Sequence, residues 1–199
     1  MRNVEIQDKR TAFDGKFKIE EATLRFQKFN GQMSDTVHRL VFERGDSAAA
    51  LLLNTDTQKV LLIEQFRYPT YEKGSGWIQE VVAGVIDENE QPEETIRREI
   101  REEIGYEVQK PLTHIATFYV SPGGTSERNM LYYAEVSNAD HVSSGGGKVS
   151  EHEDIELVEM TLPELWHALE NGNIVDAKTL IAVQWLRNRM NNGIADAVK

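Results

Sequence analysis

The 199-residue chain contains no cysteine, and this absence removes several kinds of chemistry. A thiol nucleophile, a thiolate metal site and a structural disulfide are all excluded. The chain also lacks any apolar run near the roughly 18 residues that a membrane span needs. Its N-terminus, MRNVEIQDKR, is charged and has no apolar stretch typical of a signal peptide. We therefore expect a cytoplasmic protein that does not enter a membrane.

Positive charge is scarce in this sequence. The 22 lysines and arginines face 33 aspartates and glutamates, which gives a net charge of −11. Because non-specific nucleic-acid binding depends on neutralising phosphates, this balance argues against a nucleic-acid partner. An acidic protein can still bind phosphate groups when metal ions stand between its carboxylates and the ligand.

The order of alternating and apolar segments predicts mostly strands, with one earlier helix and two helices near the end. Residues 1–45 read as an antiparallel β extension, in which Asn30-Gly31 is a typical hairpin turn. We expect an α+β fold with helices packed on a mainly antiparallel or mixed sheet. Further strands are expected at 48–53, 59–67, 76–84, 112–120, 129–136 and 155–162, and the late helices at 163–172 and 176–190.

The stretch GVIDENEQPEETIRREIREEIGYEV, residues 84–108, is crowded with charge although apolar segments flank it. Pro92 suits a first helical turn and Gly105 suits a helix end, so a helix is predicted between them. Three isoleucines form an apolar stripe along it: Ile96, Ile100 and Ile104. Three carboxylates lie beside that stripe within an arc of about 100°: Glu99, Glu102 and Glu103. Because like charges at this spacing weaken a helix, we expect a cation such as Mg²⁺ or Mn²⁺ to compensate.

The same stretch fits a longer pattern, G-x5-E-x7-R-E-U-x-E-E-x-G-U, in which U is a bulky apolar residue. Its fixed positions are Gly84, Glu90, Arg98, Glu99, Glu102, Glu103 and Gly105, with Ile100 and Tyr106 at the U positions. Tyr106 departs mildly from the aliphatic residue that is commoner there. A solvated acidic helix face would account for the glutamates but not for the rest of the pattern. The pattern resembles the Nudix box, and the chain resembles a Nudix hydrolase.

That resemblance implies an α/β/α sandwich around a mixed β-sheet, and hydrolysis of a nucleoside diphosphate linked to another group. The flanking segments resemble the ADP-ribose pyrophosphatase branch: NGQMS, FERG, LIEQFR, EVVAG, SPGGTSER, SEHEDIEL and IAVQWL. This implies cleavage of ADP-ribose to AMP and ribose 5-phosphate with Mg²⁺, for which Mn²⁺ could substitute. It also implies a homodimer, with residues 1–45 in dimerisation and 46–199 as the Nudix domain. An ordinary hairpin of the same domain is the alternative for residues 1–45.

Roles within the box follow from the same resemblance. The implied metal ligands are the carboxylates of Glu99, Glu102 and Glu103 and the backbone carbonyl of Ala83. Glu99 and Glu103 would thereby also be catalytic. Glu90 and Arg98 would form an internal ion pair, and the box is further supported by Gly84 and Gly105.

A long Gly-rich loop after the box contains the sequence SEHED. In the resembling enzymes a glutamate on such a loop is the general base and a second one, two residues later, binds metal. By their order, Glu151 would be the base and Glu153 the ligand. A long polar loop is suitable material for a lid. The alternative is a solvated acidic loop, and His152 reads as a surface histidine.

The resemblance also implies four substrate contacts. Arg67 would offer its guanidinium to the diphosphate. Arg39 would reach the nucleotide across the dimer, Phe17 would stack on adenine, and Glu127 would bind ribose hydroxyls. Two alternatives stay open, since Arg67 could be a strand-edge ion pair and Phe17 a core aromatic.

The box indicates the type of reaction but does not identify the substrate. The nearest alternative is a broad nucleoside diphosphate sugar hydrolase that accepts GDP-mannose, since base preference depends on a few pocket contacts. A catalytically inactive Nudix ligand-binding domain is less expected because every box glutamate is present. Activity on RNA 5′ ends is disfavoured by the acidic charge. The sequence does not fix the sugar and base preference, the number of metal ions or an exchange of N-terminal strands.

Overall fold

The computed structural model describes residues 2–148, 150 and 152–196, with side chains as far as residue 191. The chain divides into two compact units. The first unit is built from the first 46 residues and Tyr119–Arg128, and the second from Ser47–Phe118 and the chain from Asn129 onward. Over the described ranges, no helix has both the length and the apolar character needed to cross a membrane.

The first unit contains a three-stranded antiparallel sheet in the order β1-β2-β3. Every residue of β1 is exposed, whereas β2 is mostly half-buried. Gly31 lies in a turn with φ of 85°, and its N–H donates to the Lys28 carbonyl at 3.0 Å. An isolated antiparallel bridge joins Gln27 and Met33 around this turn, and the regular pairing of β2 with β3 begins at Leu24 and Val37. The strands are β1 (Val4–Asp14), β2 (Lys18–Phe26) and β3 (Val37–Glu43).

The second unit is built on a seven-stranded sheet whose main path is β10-β5-β4-β9-β8, with β6 beside β5 and β7 beside β4. The β4–β9 pair is parallel, while β4–β5, β4–β7, β5–β6 and β5–β10 are antiparallel, so the sheet is mixed. Its strands are β4 (Ser47–Asn54), β5 (Lys59–Phe66), β6 (Trp77–Glu80), β7 (Val82–Val85), β8 (Thr113–Tyr119), β9 (Arg128–Val136) and β10 (Ile155–Thr161).

Helices cover both faces of this sheet. The helices are α1 (Tyr68–Tyr71), α2 (Pro92–Ile104), α3 (Leu162–Glu170) and α4 (Ala177–Asp196). Every residue of β4 is buried, and its side chains alternate between the two faces as a strand requires. One face packs Ala48, Ala50 and Leu52 against the isoleucines of α2. The other packs Ala49, Leu51 and Leu53 with apolar residues of α3 and α4. The predicted α+β sandwich around a mixed sheet, preceded by an antiparallel β extension, is therefore confirmed.

One predicted strand is divided in two. Residues 76–84 were expected to form a single strand, but β6 pairs with β5 and β7 pairs with β4. Val81 lies between them, fully buried, and its N–H donates to the Thr179 side-chain oxygen at 2.9 Å. A side chain of α4 therefore supplies the partner that a continuous strand would have found in the ladder.

Candidate active site

The loop before α2 begins at Gly84 on β7, where the backbone lies against a carboxylate. A Cβ on Gly84 would sit 2.1 Å from Glu99 Oε1, so no larger residue fits without moving Glu99. Ala83, the preceding residue, pairs with Ala49 of the buried strand β4. The core strand thus fixes the backbone immediately beside the Glu99 carboxylate.

Both ends of α2 are capped by local chemistry. At its start, Pro92 follows Gln91, and the backbone N–H of Gln91 donates to Glu94 at 3.0 Å in a capping box. At its end, Gly105 adopts φ of 73° and its N–H donates to the Arg101 carbonyl at 3.2 Å. A Cβ on Gly105 would also lie 1.8 Å from the Ser143 carbonyl oxygen. The helix bounds predicted from sequence therefore coincide with its caps.

Arg98 and Glu90 form a bidentate ion pair beside the first turns of α2. Arg98 Nε donates to Glu90 Oε1 at 3.2 Å, and Nη2 donates to Oε2 at 3.1 Å. The Thr95 hydroxyl adds a third hydrogen bond to the same carboxylate at 2.7 Å. The hydrogen bonds from Arg98 and then Thr95 lower the pKa of Glu90 to about 2. This carboxylate is ionised and fully engaged with protein groups.

Arg98 also contacts the carboxylates further along the helix. Its Nη1 donates to Glu99 at 2.7 Å and to Glu102 at 3.1 Å. Glu102 receives a second cation, because Lys148 Nζ lies 2.9 Å from its Oε2. Burial, the largest influence, raises the pKa of Glu99 above its usual range, although Arg98 acts in the opposite direction. Two carboxylates of the box are thus held by side-chain cations in this structure.

Glu103 has different surroundings. Its side chain is almost completely buried, and Oε2 has no hydrogen-bond partner within the described part of the chain. Burial raises the pKa of Glu103 well above its usual range, and the Glu99 carboxylate raises it further. Glu153 and Glu80 act in the same direction, while Arg67 lowers the pKa. An ionisable oxygen without a partner in a cluster of acids is costly for folding and is typical of a functional site.

The loop after β9 returns to the end of α2. Gly146 N donates to the Glu103 carbonyl at 2.8 Å, and Gly147 N donates to the Glu102 carbonyl at 3.1 Å. Glu153 Oε2 accepts from the Lys148 backbone N–H at 2.9 Å, which keeps that carboxylate on the same loop segment. Glu151, the predicted general base, lies outside the described residues. The loop that carries it is anchored at two of the box glutamates.

Arg67, just beyond β5, contacts a buried acid. Its Nε donates to Glu80 Oε1 at 2.7 Å, and Glu80 is only 3% exposed. Gln65 and Lys178 contact the same carboxylate. Sequence reasoning named Arg67 but missed Glu80 and Lys178. A glutamate inside the apolar strand EVVAG was the available signal, whereas Lys178 is 98 residues away along the chain.

A comparison of the sequence with models of protein families gives a match that contains the box. The NUDIX domain model matches residues 43–182, well over half of the chain. The chain belongs to the Nudix family. The predicted family and the predicted class of enzyme, a Nudix hydrolase, are thereby confirmed, and the family generally depends on divalent metal ions.

Relatives of two kinds, named for two different substrates, align over nearly the whole chain. The ADP-ribose pyrophosphatase of Escherichia coli (strain K12) is 38% identical over 186 residues, covering 93% of this chain and 88% of the relative. The GDP-mannose pyrophosphatase of Cronobacter sakazakii is 36% identical over 196 residues, covering 98% of both. A crystal structure of an ADP compounds hydrolase superposes with a TM-score of 0.71 at 19% identity, covering 96% of this chain and 95% of that one. The structural likeness independently supports the fold.

The donor set of the Nudix box suits a hard divalent cation. Carboxylate and carbonyl oxygens are the ligands that Mg²⁺ and Mn²⁺ prefer. Glu103 Oε2 is the clearest indication of fit, because no described residue offers it a hydrogen bond. In this structure, however, no three His, Cys, Asp or Glu side chains of the described residues converge as a metal site. Glu99 and Glu102 would have to exchange Arg98 and Lys148 for the cation.

The remaining predicted substrate residues lie in the first unit. Phe17 packs edge-on against Phe42 with ring centroids 5.5 Å apart, and the Arg44 guanidinium lies 5.2 Å from the Phe17 ring centroid. Glu127 is buried and lies 3.5 Å from Arg44 Nε. Arg39 is exposed on β3, and its Nη1 donates to the His38 carbonyl. Phe17, Arg44 and Glu127 therefore form one local cluster. The hydrogen bond of Arg39 to His38 does not involve these three residues.

Proposed function

We propose that this Nudix enzyme hydrolyses the diphosphate bond of ADP-ribose, releasing AMP and ribose 5-phosphate. The observation that carries the proposal is the buried Glu103 carboxylate, which lacks a partner for Oε2 among the described residues. The 38% identity to ADP-ribose pyrophosphatases, over 93% of the chain, supports this substrate.

The proposed cofactor is Mg²⁺, with Mn²⁺ as a substitute. Its ligands would be the Ala83 carbonyl and the carboxylates of Glu99, Glu102, Glu103 and Glu153. A divalent cation bound there supplies charge neutralisation at the phosphoryl group and a more acidic water. Glu99 and Glu103 would take part in catalysis as ligands of that cation. Gly84 leaves room for the Glu99 carboxylate, and Gly105 ends the helix just after Glu103.

The proposed general base is Glu151, which would take a proton from the attacking water. Its support comes from the sequence SEHED and from the anchoring of that loop at Glu102 and Glu103 through Gly146 and Gly147. A base held on a loop can approach the water when the loop closes over substrate.

Four residues are proposed to bind different parts of the nucleotide sugar. Arg67 would bind the diphosphate. Its guanidinium contacts Glu80 only through Nε, and its Nη groups donate no hydrogen bond to any described residue. Phe17, Arg39 and Glu127 would bind the adenosine part and ribose hydroxyls, in a homodimer formed through residues 1–45. An enzyme of this kind would act in the cytoplasm without a nucleic-acid or membrane partner.

GDP-mannose is the second candidate substrate. Relatives named GDP-mannose pyrophosphatase are 35–37% identical, close to the 38% of the ADP-ribose group. Because the box of this chain indicates the reaction and not the substrate, the choice between the two depends on the pocket for the base and the sugar.

Product chromatography separates these candidates. The protein is incubated with Mg²⁺ and equal concentrations of ADP-ribose, ADP-glucose, GDP-mannose and NADH, each in its own reaction. Preference for ADP-ribose by ~100-fold, or ~2.7 kcal/mol of transition-state discrimination, supports the specific proposal. Comparable release of GMP from GDP-mannose would replace it with a broad nucleotide sugar hydrolase. Glu159→Gln, which changes an exposed acid of β10, is the matched control for variants of the box glutamates.

A further inference from the structure

The backbone of the loop after β9 runs alongside the last turn of α2. Gly147 N donates to the Glu102 carbonyl at 3.1 Å, and Gly146 N donates to the Glu103 carbonyl at 2.8 Å. Carbonyls in the last turn of a helix lack partners within the helix, so the loop completes the hydrogen bonding of α2. A Cβ on Gly147 would lie 2.7 Å from Glu153 Cβ, so a larger residue would not fit without moving Glu153. The next residue, Lys148, is thereby brought directly beside the box.

Lys148 contacts two of the proposed metal ligands through different atoms. Its Nζ lies 2.9 Å from Glu102 Oε2, and the two side chains are 36% and 25% exposed. Its backbone N–H donates to Glu153 Oε2 at 2.9 Å, and its carbonyl accepts from Glu153 N at 3.3 Å. Glu102 belongs to α2, whereas Glu153 belongs to the loop. One residue therefore joins a carboxylate of the helix to a carboxylate of the loop.

Arg98 and Lys148 both contact Oε2 of Glu102, at 3.1 Å and 2.9 Å, but they are held differently. Arg98 lies on α2 itself and is fixed by its bidentate pair with Glu90. Lys148 lies on the loop, and its ammonium group can leave Glu102 without breaking that pair. A divalent cation bound at Glu102 would stand next to this ammonium group, and the two positive charges would repel each other. Of the two side chains, Lys148 is therefore the one that can exchange with a cation.

We propose that Lys148 is a positioning residue that exchanges with the divalent cation at Glu102. Before the cation binds, its ammonium group neutralises Glu102 and holds the loop against α2. The cation displaces this group, so that metal binding at Glu102 is coupled to the loop that carries Glu153. This exchange rests on the proposed metal site, and it is the same for any nucleotide sugar.

Mn²⁺ binding, followed by electron paramagnetic resonance without substrate, compares Lys148→Met with the wild type. Lys59→Met is the matched control, since Lys59 pairs with Glu159 at 3.1 Å and both side chains are 36% exposed. Lys148→Met should bind Mn²⁺ about fivefold more tightly, because a competing charge is gone and partly exposed ion pairs contribute on this scale. Lys148→Arg, which keeps the charge, and Lys59→Met should stay within about twofold of the wild type. Equal or weaker binding by Lys148→Met would overturn the proposal.

Thermal unfolding distinguishes this exchange from an ordinary structural ion pair. Unfolding temperatures of the wild type and Lys148→Met are measured in EDTA and in excess Mg²⁺. The rise caused by Mg²⁺ should be larger for Lys148→Met, because a more tightly bound ion stabilises the folded state more. A purely structural pair would lower the unfolding temperature by the same amount in both solutions. An equal rise in the two proteins would therefore contradict the proposal.

The absence of cysteine allows a single spin label on the loop. A nitroxide on Ser150→Cys, an exposed position two residues after Lys148, reports loop motion without turnover. In EDTA the lines should be narrower when Lys148→Met is added, because the contact with Glu102 is lost. Mg²⁺ should narrow the lines in the otherwise wild-type protein and change them less in Lys148→Met. Identical line shapes of the two proteins in EDTA would overturn the coupling to the loop.

Failure of this exchange can be told apart from failure of the proposed function. If the wild type binds no Mn²⁺, the proposed cofactor and the exchange both fail. If it binds Mn²⁺ but does not cleave ADP-ribose, only the proposed substrate fails. In that case the Mn²⁺ affinity of Lys148→Met, compared with the wild type and Lys59→Met, still decides the role of Lys148.

Discussion

Glu90 and Glu103 belong to the same Nudix box, but their surroundings are opposite. Glu90 accepts three hydrogen bonds from Arg98 and Thr95, and its pKa falls to about 2. Glu103 is buried beside other carboxylates, its Oε2 has no partner among the described residues, and its pKa is raised. The first arrangement stabilises the folded chain by itself. The second destabilises it unless a proton or a cation arrives, which is expected of a functional carboxylate.

The largest expected effect comes from Glu103→Gln. This change should lower kcat about 10³-fold, because groups that stabilise transition-state charge contribute on that scale. The raised pKa means that the folded protein holds a proton more tightly than the unfolded chain, so ionisation of Glu103 costs stability above the unfolded pKa. In EDTA at neutral pH, thermal unfolding of Glu103→Gln should therefore occur at or above the wild-type temperature. Wild-type turnover, or a clear loss of stability, would contradict this assignment.

Glu151→Gln tests whether the anchored loop supplies the base. The variant should fold and bind substrate normally, while kcat falls roughly 10²-fold, the usual contribution of a positioned general base. Steady-state kinetics with a thermal unfolding control separates the two effects. If kcat is unchanged, the base is elsewhere, and Glu153 would be the next variant to make.

Glu90→Gln should mainly affect folding. Loss of the ion pair with Arg98 is expected to lower the free energy of unfolding by about 1.5 kcal/mol, the value typical of hydrogen bonds to charged groups. Because the pKa of Glu90 is lowered, its stabilisation is present above the unfolded pKa and is lost as the pH falls through the folded pKa. The difference from wild type should be constant above about pH 5 and shrink between about pH 4.5 and 2. Urea unfolding across this range measures it, and a difference that does not change with pH would refute the ion-pair explanation.

Arg39→Ala is expected to have the smallest effect, and it tests the proposed role of residues 1–45. If Arg39 reaches a nucleotide in a homodimer, the KM should rise about fivefold while the unfolding temperature stays close to wild type, since the side chain is exposed. Equal losses of affinity and stability would indicate a structural arginine. Light scattering at the assay concentration shows whether a dimer is present in the same sample.

Local chemistry explains which parts of the fold could be predicted. The ends of α2 followed from Pro92 and Gly105, because caps depend on residues within one turn. The buried strands β4 and β5 followed from continuous apolar runs. The division between β6 and β7 was missed, because it depends on a hydrogen bond from Val81 to Thr179, far away in sequence.

At the site, as in the fold, some contacts were predicted and those between distant parts of the sequence were missed. The resemblance to the Nudix box brought together Glu90 and Arg98, but it did not predict the further contacts of Arg98 with Glu99 and Glu102. Those contacts depend on side-chain orientation, which spacing does not determine. Glu80 and Lys178 were missed because their contact joins strand β6 to helix α4, which are distant in the sequence. Long-range ion pairs require the fold before they can be recognised.

Binding of Mn²⁺ followed by electron paramagnetic resonance tests the contrast between Glu103 and Glu90 most directly. Wild-type protein, Glu103→Gln and Glu90→Gln are titrated without substrate, with Glu159→Gln as the control. Glu103→Gln should lose at least about tenfold in affinity or one bound ion, whereas Glu90→Gln should stay within about threefold of wild type. Equal Mn²⁺ binding by Glu103→Gln and the wild type would contradict the assignment of Glu103 to the metal.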